Sequence, residues 1–238
     1  MERMDRLLII VPCYNEADSI ASVVTQARRA LPEADVLVID DGSTDATLQI
    51  ASQSGATVLA VPFNLGIGGA VQTGYQFALR QNYQWVARID GDGQHDPAQL
   101  DRLLERVIGG EADVVIGSRH LATDGYRASR ARYWGTRLFA AIVSLVTGQR
   151  FTDVTSGFMV VNHEAAAFLA ENTPGDYPEI EALVLLCRAG YRVKEVPVTM
   201  QARLAGKSSI GPFDAFYYVV KILLAILIGL LRRAPRRV

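Results

Sequence analysis

Short apolar runs alternate with amphipathic segments along the first half of the chain. The runs are typical of strands buried on both faces of a parallel sheet, and the amphipathic segments carry apolar residues three and four positions apart, as helices do. This alternation predicts parallel βαβ units and a doubly wound, mostly parallel α/β sheet flanked by helices. The predicted strands are Leu7–Val11, Val36–Ile39, Ala56–Val61, Trp85–Ile89 and Asp113–Gly117, and the predicted helices are Asn15–Leu31, Ser43 or Thr44 to Ser54, Gly66–Arg80 and Pro97–Ile108.

The second half of the chain follows a less regular pattern. Its predicted helices are Ala128–Thr147 and Glu179–Ala189, and its predicted strands are Ser156–Val161 and Val193–Met200. A strongly apolar helix, Phe213–Leu231, precedes the basic tail Arg232–Arg237. We therefore expect one α/β domain over residues 1–210 and a separate apolar segment with a basic tail over residues 211–238.

Acidic side chains follow three of the predicted strands. Glu16 comes after the first strand, Asp41 after the second, and Asp90 and Asp92 after the fourth. Ligands of open α/β sheets bind at the carboxyl ends of the strands. The sequence therefore predicts that these carboxylates converge on one crevice. Of the neighbouring pair Asp40 and Asp41, we expect one to contact a ligand and the other to cap the following helix.

Three oxygen donors alternate directly after the fourth strand: Asp90, Asp92 and Gln94. Hard oxygen ligands of this kind suit Mg²⁺ or Mn²⁺ holding a diphosphate. An ordinary Asp-Gly turn is the alternative, but the spacing of three donors after a buried strand favours a metal site. The segment Asn64–Gly69 lacks the order of a dinucleotide or P-loop motif, and we expect its small residues to let the third helix approach a nucleotide.

Composition narrows the function classes. The net charge of −1 gives no overall positive field, so nucleic acid is not an expected partner. The two cysteines, Cys13 and Cys187, are far apart and have no metal-ligand spacing, which suits a reducing compartment. Met1–Arg6 is charged and the first apolar run is too short for a signal peptide, so we expect the α/β domain to stay in the cytoplasm.

Taken together, the motifs resemble glycosyltransferase family 2 with the GT-A fold, and most closely its polyprenyl-phosphate sugar transferases of the dolichyl-phosphate mannose synthase type. The resemblance runs from about Leu7 to Lys207. The segments that carry it are Val11–Glu16, Ile39–Asp45, Asp90–His95, Gly117–Arg119 and Thr155–Phe158. It implies an inverting, metal-dependent transfer of a hexose from a UDP- or GDP-sugar to a polyprenyl phosphate, for the synthesis of cell-envelope glycans or glycoconjugates.

The resemblance also implies roles for individual residues. The implied donor-binding residues are Pro12, Tyr14, Glu16, Ile39, Asp41, Asp90, Gly91, Asp92 and Arg203. The implied metal ligands are Asp90, Asp92 and Gln94, and the implied catalytic residues are Asp90, Asp92, Arg119 and Arg132. Arginine suits the phosphate groups involved because its planar guanidinium binds them in a bidentate manner.

The C-terminal segment departs from many relatives, which carry two or four clear transmembrane helices. Asp214 and Lys221 interrupt Phe213–Leu231, and a single span would place the basic tail on the outer face, against the positive-inside preference. We expect an interfacial or re-entrant helix at the cytoplasmic face of a bacterial inner membrane, with a small integral membrane protein as a further partner. A soluble core helix is the alternative. Tyr133, Trp134 and Phe139 are expected to form a second interfacial patch.

Two main alternatives and one weaker competitor stay open at this point. One is a family 2 enzyme that acts on a saccharide hydroxyl, which needs a carboxylate base such as Asp153, Glu179 or Glu181. For Asp153 we favour a structural or acceptor-side role. The other is a catalytically silent membrane scaffold, which the complete set of Asp90, Asp92 and Gln94 disfavours. A nucleotidyltransferase is a weaker competitor, since it too uses acidic metal sites.

Overall fold

The computed structural model describes residues 6–122, 130–175 and 178–201, together with residues 223, 224 and 237. Within them, seven strands form one sheet in the order β3-β2-β1-β4-β6-β5-β7. The strands are β1 (Leu7–Cys13), β2 (Asp35–Asp40), β3 (Thr57–Ala60), β4 (Trp85–Arg88), β5 (Val114–Ser118), β6 (Met159–Asn162) and β7 (Val193–Pro197). The helices are α1 (Ile20–Ala30), α2 (Thr47–Gln53), α3 (Gly66–Arg80), α4 (Leu100–Ile108), α5 (Arg130–Thr147), α6 (His163–Asn172) and α7 (Pro178–Arg188), with a short 3-10 helix, Pro97–Gln99, before α4.

The sheet is mostly parallel, as predicted. Only β6 among the described strands runs against its neighbours, and it pairs with β4 on one side and β5 on the other. Helices cover both faces, so two apolar clusters form the core, one on each side of the sheet. Because β1, β2, β4 and β5 all run the same way, their carboxyl ends share one edge, which we call the catalytic edge.

Two predicted helix starts are wrong, and hydrogen bonds between loops explain both. The helix expected from Asn15 begins at Ile20, because Asn15 has a left-handed backbone (φ 54°) and binds the loop after β2. Its amide N–H donates to Ser43 Oγ at 2.9 Å and its Oδ1 accepts from the N–H of Thr44 at 2.8 Å. The second helix begins at Thr47, later than Ser43 or Thr44, since those residues are engaged with Asn15.

The expected capping role of Asp40 or Asp41 is wrong as well. The N-cap of α2 is Ala46, and the carboxylate of Asp45 accepts the N–H of Thr47, the first residue of the helix, at 2.9 Å. Asp41 instead accepts the N–H of Leu65 at 2.8 Å, at the beginning of α3.

The second half of the chain contains one helix that the sequence pattern did not predict. Helix α6 follows β6 directly, and Asn162 caps it by accepting the N–H of Ala165 at 2.9 Å. Its alanine-rich sequence is apolar without a clear periodicity, so the helical pattern was hidden. Of the predicted helix Phe213–Leu231, only Leu223 and Leu224 lie within the described residues, and both are helical. No helix in the described part of the chain is long and apolar enough to span a bilayer.

Candidate active site

One cavity of about 530 Å³ opens at the catalytic edge, a volume within the usual range for small-molecule sites. Four predicted carboxylates, Glu16, Asp41, Asp90 and Asp92, line it together, so the expected convergence is confirmed. We call this space the donor-side cavity. Its lining residues are Pro12, Cys13, Tyr14, Glu16, Asp41, Asn64, Gly66, Ile67, Ala70, Arg88, Asp90, Gly91, Asp92 and Glu179.

Asp90 is held at the end of β4 by its neighbours. Its N–H donates to Nδ1 of His95 at 3.0 Å, and its carboxylate lies 3.3 Å from Nη2 of Arg88 and 3.8 Å from Nε2 of His95. Burial alone would raise the pKa of Asp90, but the electrostatic interactions with His95 and Arg88 outweigh it and hold the pKa below its usual range. Asp90 therefore presents an ionised carboxylate to the cavity.

Asp92 lies two residues further along and is almost fully buried. Its Oδ1 accepts the N–H of Gln94 at 3.0 Å, which fixes the turn after β4. The side chain of Gln94 is half-buried, and Gln94 does not line the donor-side cavity. The two aspartates thus share the cavity, while the third predicted metal ligand stays a prediction.

Arg88 is a cavity residue that the sequence analysis missed. It lies in the apolar strand β4 with 3 % of its side chain exposed, and its Nη2 donates to Oε1 of Glu179 at 2.7 Å. Burial would lower the pKa of Arg88, but the charges of Glu179 and Asp90 raise it above its ordinary value. The only sequence signal was a single cation inside the run Trp85–Ile89. Its partner Glu179 is distant in sequence, so the pattern of β4 could not reveal the pair.

Asp41 and Tyr14 line the part of the cavity formed by the loops after β1 and β2. Burial raises the pKa of Asp41, and the N–H groups of Leu65 and Gly66 partly offset that effect. Ile39, predicted beside a nucleobase, is completely buried in the core and does not line the cavity.

Arg119 lies after β5 and is held by a bidentate ion pair with Asp153. Its Nε and Nη2 each donate to the Asp153 carboxylate at 2.7 Å, and Nη2 also donates to Oγ1 of Thr155 at 2.7 Å. Burial would raise the pKa of Asp153, but the hydrogen bonds and charge of Arg119 hold it below its usual range. The side chain of Asp153 is 0 % exposed and fixes the guanidinium, in agreement with the structural half of the predicted structural or acceptor-side role. Arg119 does not line the donor-side cavity, although its charge reaches Asp90.

Two further predicted residues remain untested by the structure. The side chain of Arg132, on the first turn of α5, and the whole of Arg203 lie outside the described residues. Their implied roles stay predictions.

Comparison with protein families decides the class of this chain. The model of glycosyl transferase family 2 matches residues 8–168, which contain every lining residue of the donor-side cavity except Glu179. The chain is a family 2 glycosyltransferase.

Curated relatives of this glycosyltransferase cover most of its length. It is 33% identical over 218 residues to an undecaprenyl-phosphate mannosyltransferase from Micrococcus luteus, a match that covers 87% of this chain and 88% of the relative. It is 30% identical over 221 residues to a polyprenol monophosphomannose synthase from Mycolicibacterium smegmatis, with 87% and 81% of the two chains covered.

Solved structures share the fold of this glycosyltransferase. A glucosyl-3-phosphoglycerate synthase from Mycobacterium tuberculosis, crystallised with Mn²⁺, UDP and phosphoglyceric acid, superposes with a TM-score of 0.72. The two are 23% identical, and the match covers 94% of this chain and 78% of the other. The predicted GT-A architecture is confirmed.

The carboxylate oxygens in the cavity of this glycosyltransferase suit a divalent ion that also binds the phosphate oxygens of a ligand. In the ranges that the structure describes, no three His, Cys, Asp or Glu side chains are grouped closely enough to hold an ion by themselves. Mg²⁺ in phosphate-transfer sites is typically bound by one or two carboxylates, with phosphate oxygens and water completing the shell. Asp90 and Asp92, which share an open cavity, provide the protein part of such a shell.

Proposed function

We propose that this glycosyltransferase moves a hexose from a nucleotide diphosphate sugar to a polyprenyl phosphate with inversion at the anomeric carbon. The observation that carries the proposal is the donor-side cavity, where Asp90 and Asp92 lie with Asp41 and Glu16 at the ends of three parallel strands. The two mannosyltransferase relatives support the acceptor class and make GDP-mannose the first donor to test.

Different residues of the donor-side cavity would contact different parts of the nucleotide sugar. Tyr14, Glu16 and Asp41 line the cavity, and we infer that they contact the nucleoside through the hydrogen-bond acceptors that a base and a ribose require. Asp90 and Asp92 are the residues that would hold Mg²⁺ or Mn²⁺, and such an ion neutralises charge on a diphosphate leaving group. Gly91 allows close approach between the two carboxylates and β1, because a Cβ there would lie 3.0 Å from Cβ of Cys13.

An anionic acceptor suits this site better than a hydroxyl acceptor. A phosphate can attack without a general base, so positioning and charge neutralisation supply most of the catalysis. Two of the carboxylates considered as bases are already engaged by arginines: Asp153 by Arg119 and Glu179 by Arg88. The hydrogen bonds and charge of Arg119 hold the pKa of Asp153 below its usual range, which makes Asp153 a weak proton acceptor. Arg119, fixed near Asp90, is suited to attract the acceptor phosphate.

The proposed location is the cytoplasmic face of a bacterial inner membrane, where a polyprenyl phosphate presents its head group. Helix α5 supports contact with a lipid surface, since Trp134 is 69 % exposed and Leu145 is 85 % exposed on one side of the helix. Tyr133 is also exposed, whereas Phe139 is buried, so Phe139 does not belong to the predicted patch. The small membrane partner protein stays a prediction.

A transfer assay tests the proposed function. The full chain is incubated with Mn²⁺, undecaprenyl phosphate and radiolabelled GDP-mannose, UDP-glucose or UDP-N-acetylglucosamine in parallel. We expect label from one donor to enter a charged lipid fraction, and no label to enter undecaprenol, which has the same tail with a neutral hydroxyl. Label that enters only saccharide acceptors, with none in charged lipid for any donor, would contradict the proposal.

A further inference from the structure

Two carboxylates and one aromatic ring form a clamp at the edge of the sheet opposite the catalytic edge. Asp113 precedes β5, Tyr191 precedes β7, and Glu164 lies in the first turn of α6. Asp113 is 1 % exposed and its carboxylate accepts from Nη2 of Arg192 at 2.9 Å, while the hydroxyl of Tyr191 donates to the carbonyl oxygen of Glu164 at 3.2 Å. The side chains of Asp113 and Tyr191 are therefore held in place by contacts within the fold, and Glu164 is anchored beside them through its backbone.

The clamp binds Arg237, from the basic tail of the chain. Nη2 of Arg237 donates to Oε2 of Glu164 at 2.6 Å and to Oδ1 of Asp113 at 3.2 Å, and Nε donates to the same Glu164 oxygen at 3.1 Å. The guanidinium carbon also lies 4.7 Å from the centroid of the Tyr191 ring. Forked hydrogen bonds to carboxylates combined with a cation–π contact are the mode of recognition that suits arginine best.

We propose that Asp113, Glu164 and Tyr191 form a receptor for the C-terminal tail of the same chain, with Arg237 as its bound side chain. This goes beyond the proposed function, because tail capture requires neither a donor nor an acceptor. It also gives one arginine of the basic tail a binding site within the same chain.

Tail capture restricts how the apolar segment meets a membrane. Gln201 is held at the catalytic edge, where its N–H donates to the carbonyl oxygen of Gln94 at 2.9 Å, and Arg237 is held at the opposite edge. One folded domain thus holds both ends of the segment 202–236. A segment whose ends lie on the same side of a bilayer cannot cross it once, so the tail and the domain share one membrane face. The conclusion about the membrane face rests on the proposed membrane location, whereas the binding of Arg237 by the clamp does not.

A distance measurement by spin labelling tests the clamp on the purified full chain. Labels are placed at Glu171→Cys, an exposed position on α6, and at Val238→Cys, in a Cys187→Ser background that leaves the buried Cys13 in place. Glu171 lies roughly 10 Å along the helix from Glu164. We expect a narrow distribution at short distance. A broad distribution in this parent protein would overturn the proposal.

Matched variants distinguish specific binding of Arg237 by the clamp from general electrostatic attraction of the basic tail. Arg237→Glu and Glu164→Gln are each expected to lower the ratio of captured to released tail about fivefold, since each removes the charge-assisted contacts. Arg233→Glu makes the same change of charge elsewhere in the tail, and Glu111→Gln removes an exposed carboxylate outside the clamp, so neither should alter the ratio. Equal effects from the clamp variants and their controls would also overturn the proposal.

Labelling of oriented membrane vesicles tests the topological statement. A membrane-impermeant maleimide is applied to vesicles of known orientation that carry the chain with a single accessible cysteine, at position 171 or at position 238. We expect the reagent to modify both positions from the same face of the membrane. Modification from opposite faces would overturn the statement that the tail and the domain share one face. If the chain does not bind membranes, the proposed location fails, while the distance measurement still decides on the clamp.

Discussion

At the residue scale, the buried ion pair between Arg88 and Glu179 determines how Asp90 is presented to the donor-side cavity. Arg88 is 2.7 Å from Glu179 and 3.3 Å from Asp90, so one guanidinium holds a carboxylate on each side. Gly157 packs directly on this group, since a Cβ there would lie 2.8 Å from Nη2 of Arg88 and 3.0 Å from Oδ1 of Asp90. Asp90 is therefore fixed by contacts that a donor does not provide.

Replacement of Arg88 should weaken metal-dependent activity. We expect Arg88→Met to lower the apparent Mn²⁺ affinity in the transfer assay by about 10- to 100-fold, the usual effect of removing a residue that orients a metal ligand. Arg88→Lys should retain part of the affinity, and Arg80→Met, at an exposed position on α3, should retain all of it. An unchanged Mn²⁺ dependence in Arg88→Met would show that Asp90 is positioned without it.

Replacement of Asp153 should affect stability in a pH-dependent way. The pKa of Asp153 in the folded protein is below its unfolded value of about 3.9, so its contribution is present above that pH and is lost as pH falls through the folded pKa. We expect Asp153→Asn to cost about 3 kcal/mol at pH 7, because it removes the buried carboxylate charge from its ion pair with Arg119. Urea unfolding from pH 7 to pH 3 measures this, and the gap between wild type and variant should narrow below pH 4. A stability difference between wild type and variant that increases toward acid pH would contradict the expected direction of the pH dependence.

The sequence predicted site residues that stand out from their immediate neighbours in the chain. It did not reveal residues whose role depends on a partner far away in sequence. Asp90 and Asp92 stand out because polar residues interrupt an apolar strand at its end. Arg88 was missed because its partner Glu179 comes from α7, and burial of a charge can be judged only when its partner is known. Ile39 was placed at the cavity by resemblance, whereas the side-chain alternation of β2 sends it into the core.

At the element scale, the close approach of α3 to the loop before α7 shapes one wall of the donor-side cavity. The N–H of Gly68 donates to the carbonyl oxygen of Gly175 at 3.2 Å, and a Cβ on Gly68 would overlap the carbonyl oxygens of Pro174 and Gly175. Gly66 and Ile67, which directly precede Gly68, line the cavity. The small residues of this segment therefore serve packing as well as the predicted approach to a ligand.

A methyl group at Gly68 should disturb this wall. We expect Gly68→Ala to lower the free energy of unfolding by about 1–3 kcal/mol, the usual cost of overpacking. Gly135→Ala, inside α5 with nothing within 4 Å of its added Cβ, should instead stabilise the protein by roughly 0.5–1 kcal/mol. Chemical denaturation measures the free energy of unfolding of both variants. Equal stability of Gly68→Ala and wild type would show that the loop moves aside freely.

The exposed side of α5 should contribute to membrane binding. We expect Trp134→Ser to weaken binding to anionic lipid vesicles about tenfold, since a large apolar side chain no longer enters the interface. Leu48→Ser, at an exposed apolar position on α2, should leave binding unchanged. Co-sedimentation with vesicles measures both variants, and equal losses would mean that α5 is not the contact.

At the scale of the whole molecule, the topology of the sheet explains why the site lies where it does. Parallel β1, β2 and β4 bring Glu16, Asp41 and Asp90 to one edge although these residues are far apart in sequence. That arrangement was predictable from the alternation of strands and helices. The antiparallel insertion of β6 and the helix α6 after it were not, because strand direction is set by pairing with β4 and β5 rather than by local sequence.

The central claim is that Asp90 and Asp92 together hold a divalent ion that binds the diphosphate of the donor. Calorimetric titration of GDP and of UDP into the full chain, with Mn²⁺ and with EDTA, tests it most directly. Wild type should bind one of the nucleotides at least tenfold more tightly with Mn²⁺, and Asp92→Asn should lose that difference, while Asp101→Asn on α4 should keep it. Nucleotide binding that is indifferent to Mn²⁺, or that keeps its Mn²⁺ dependence in Asp92→Asn, would contradict the account.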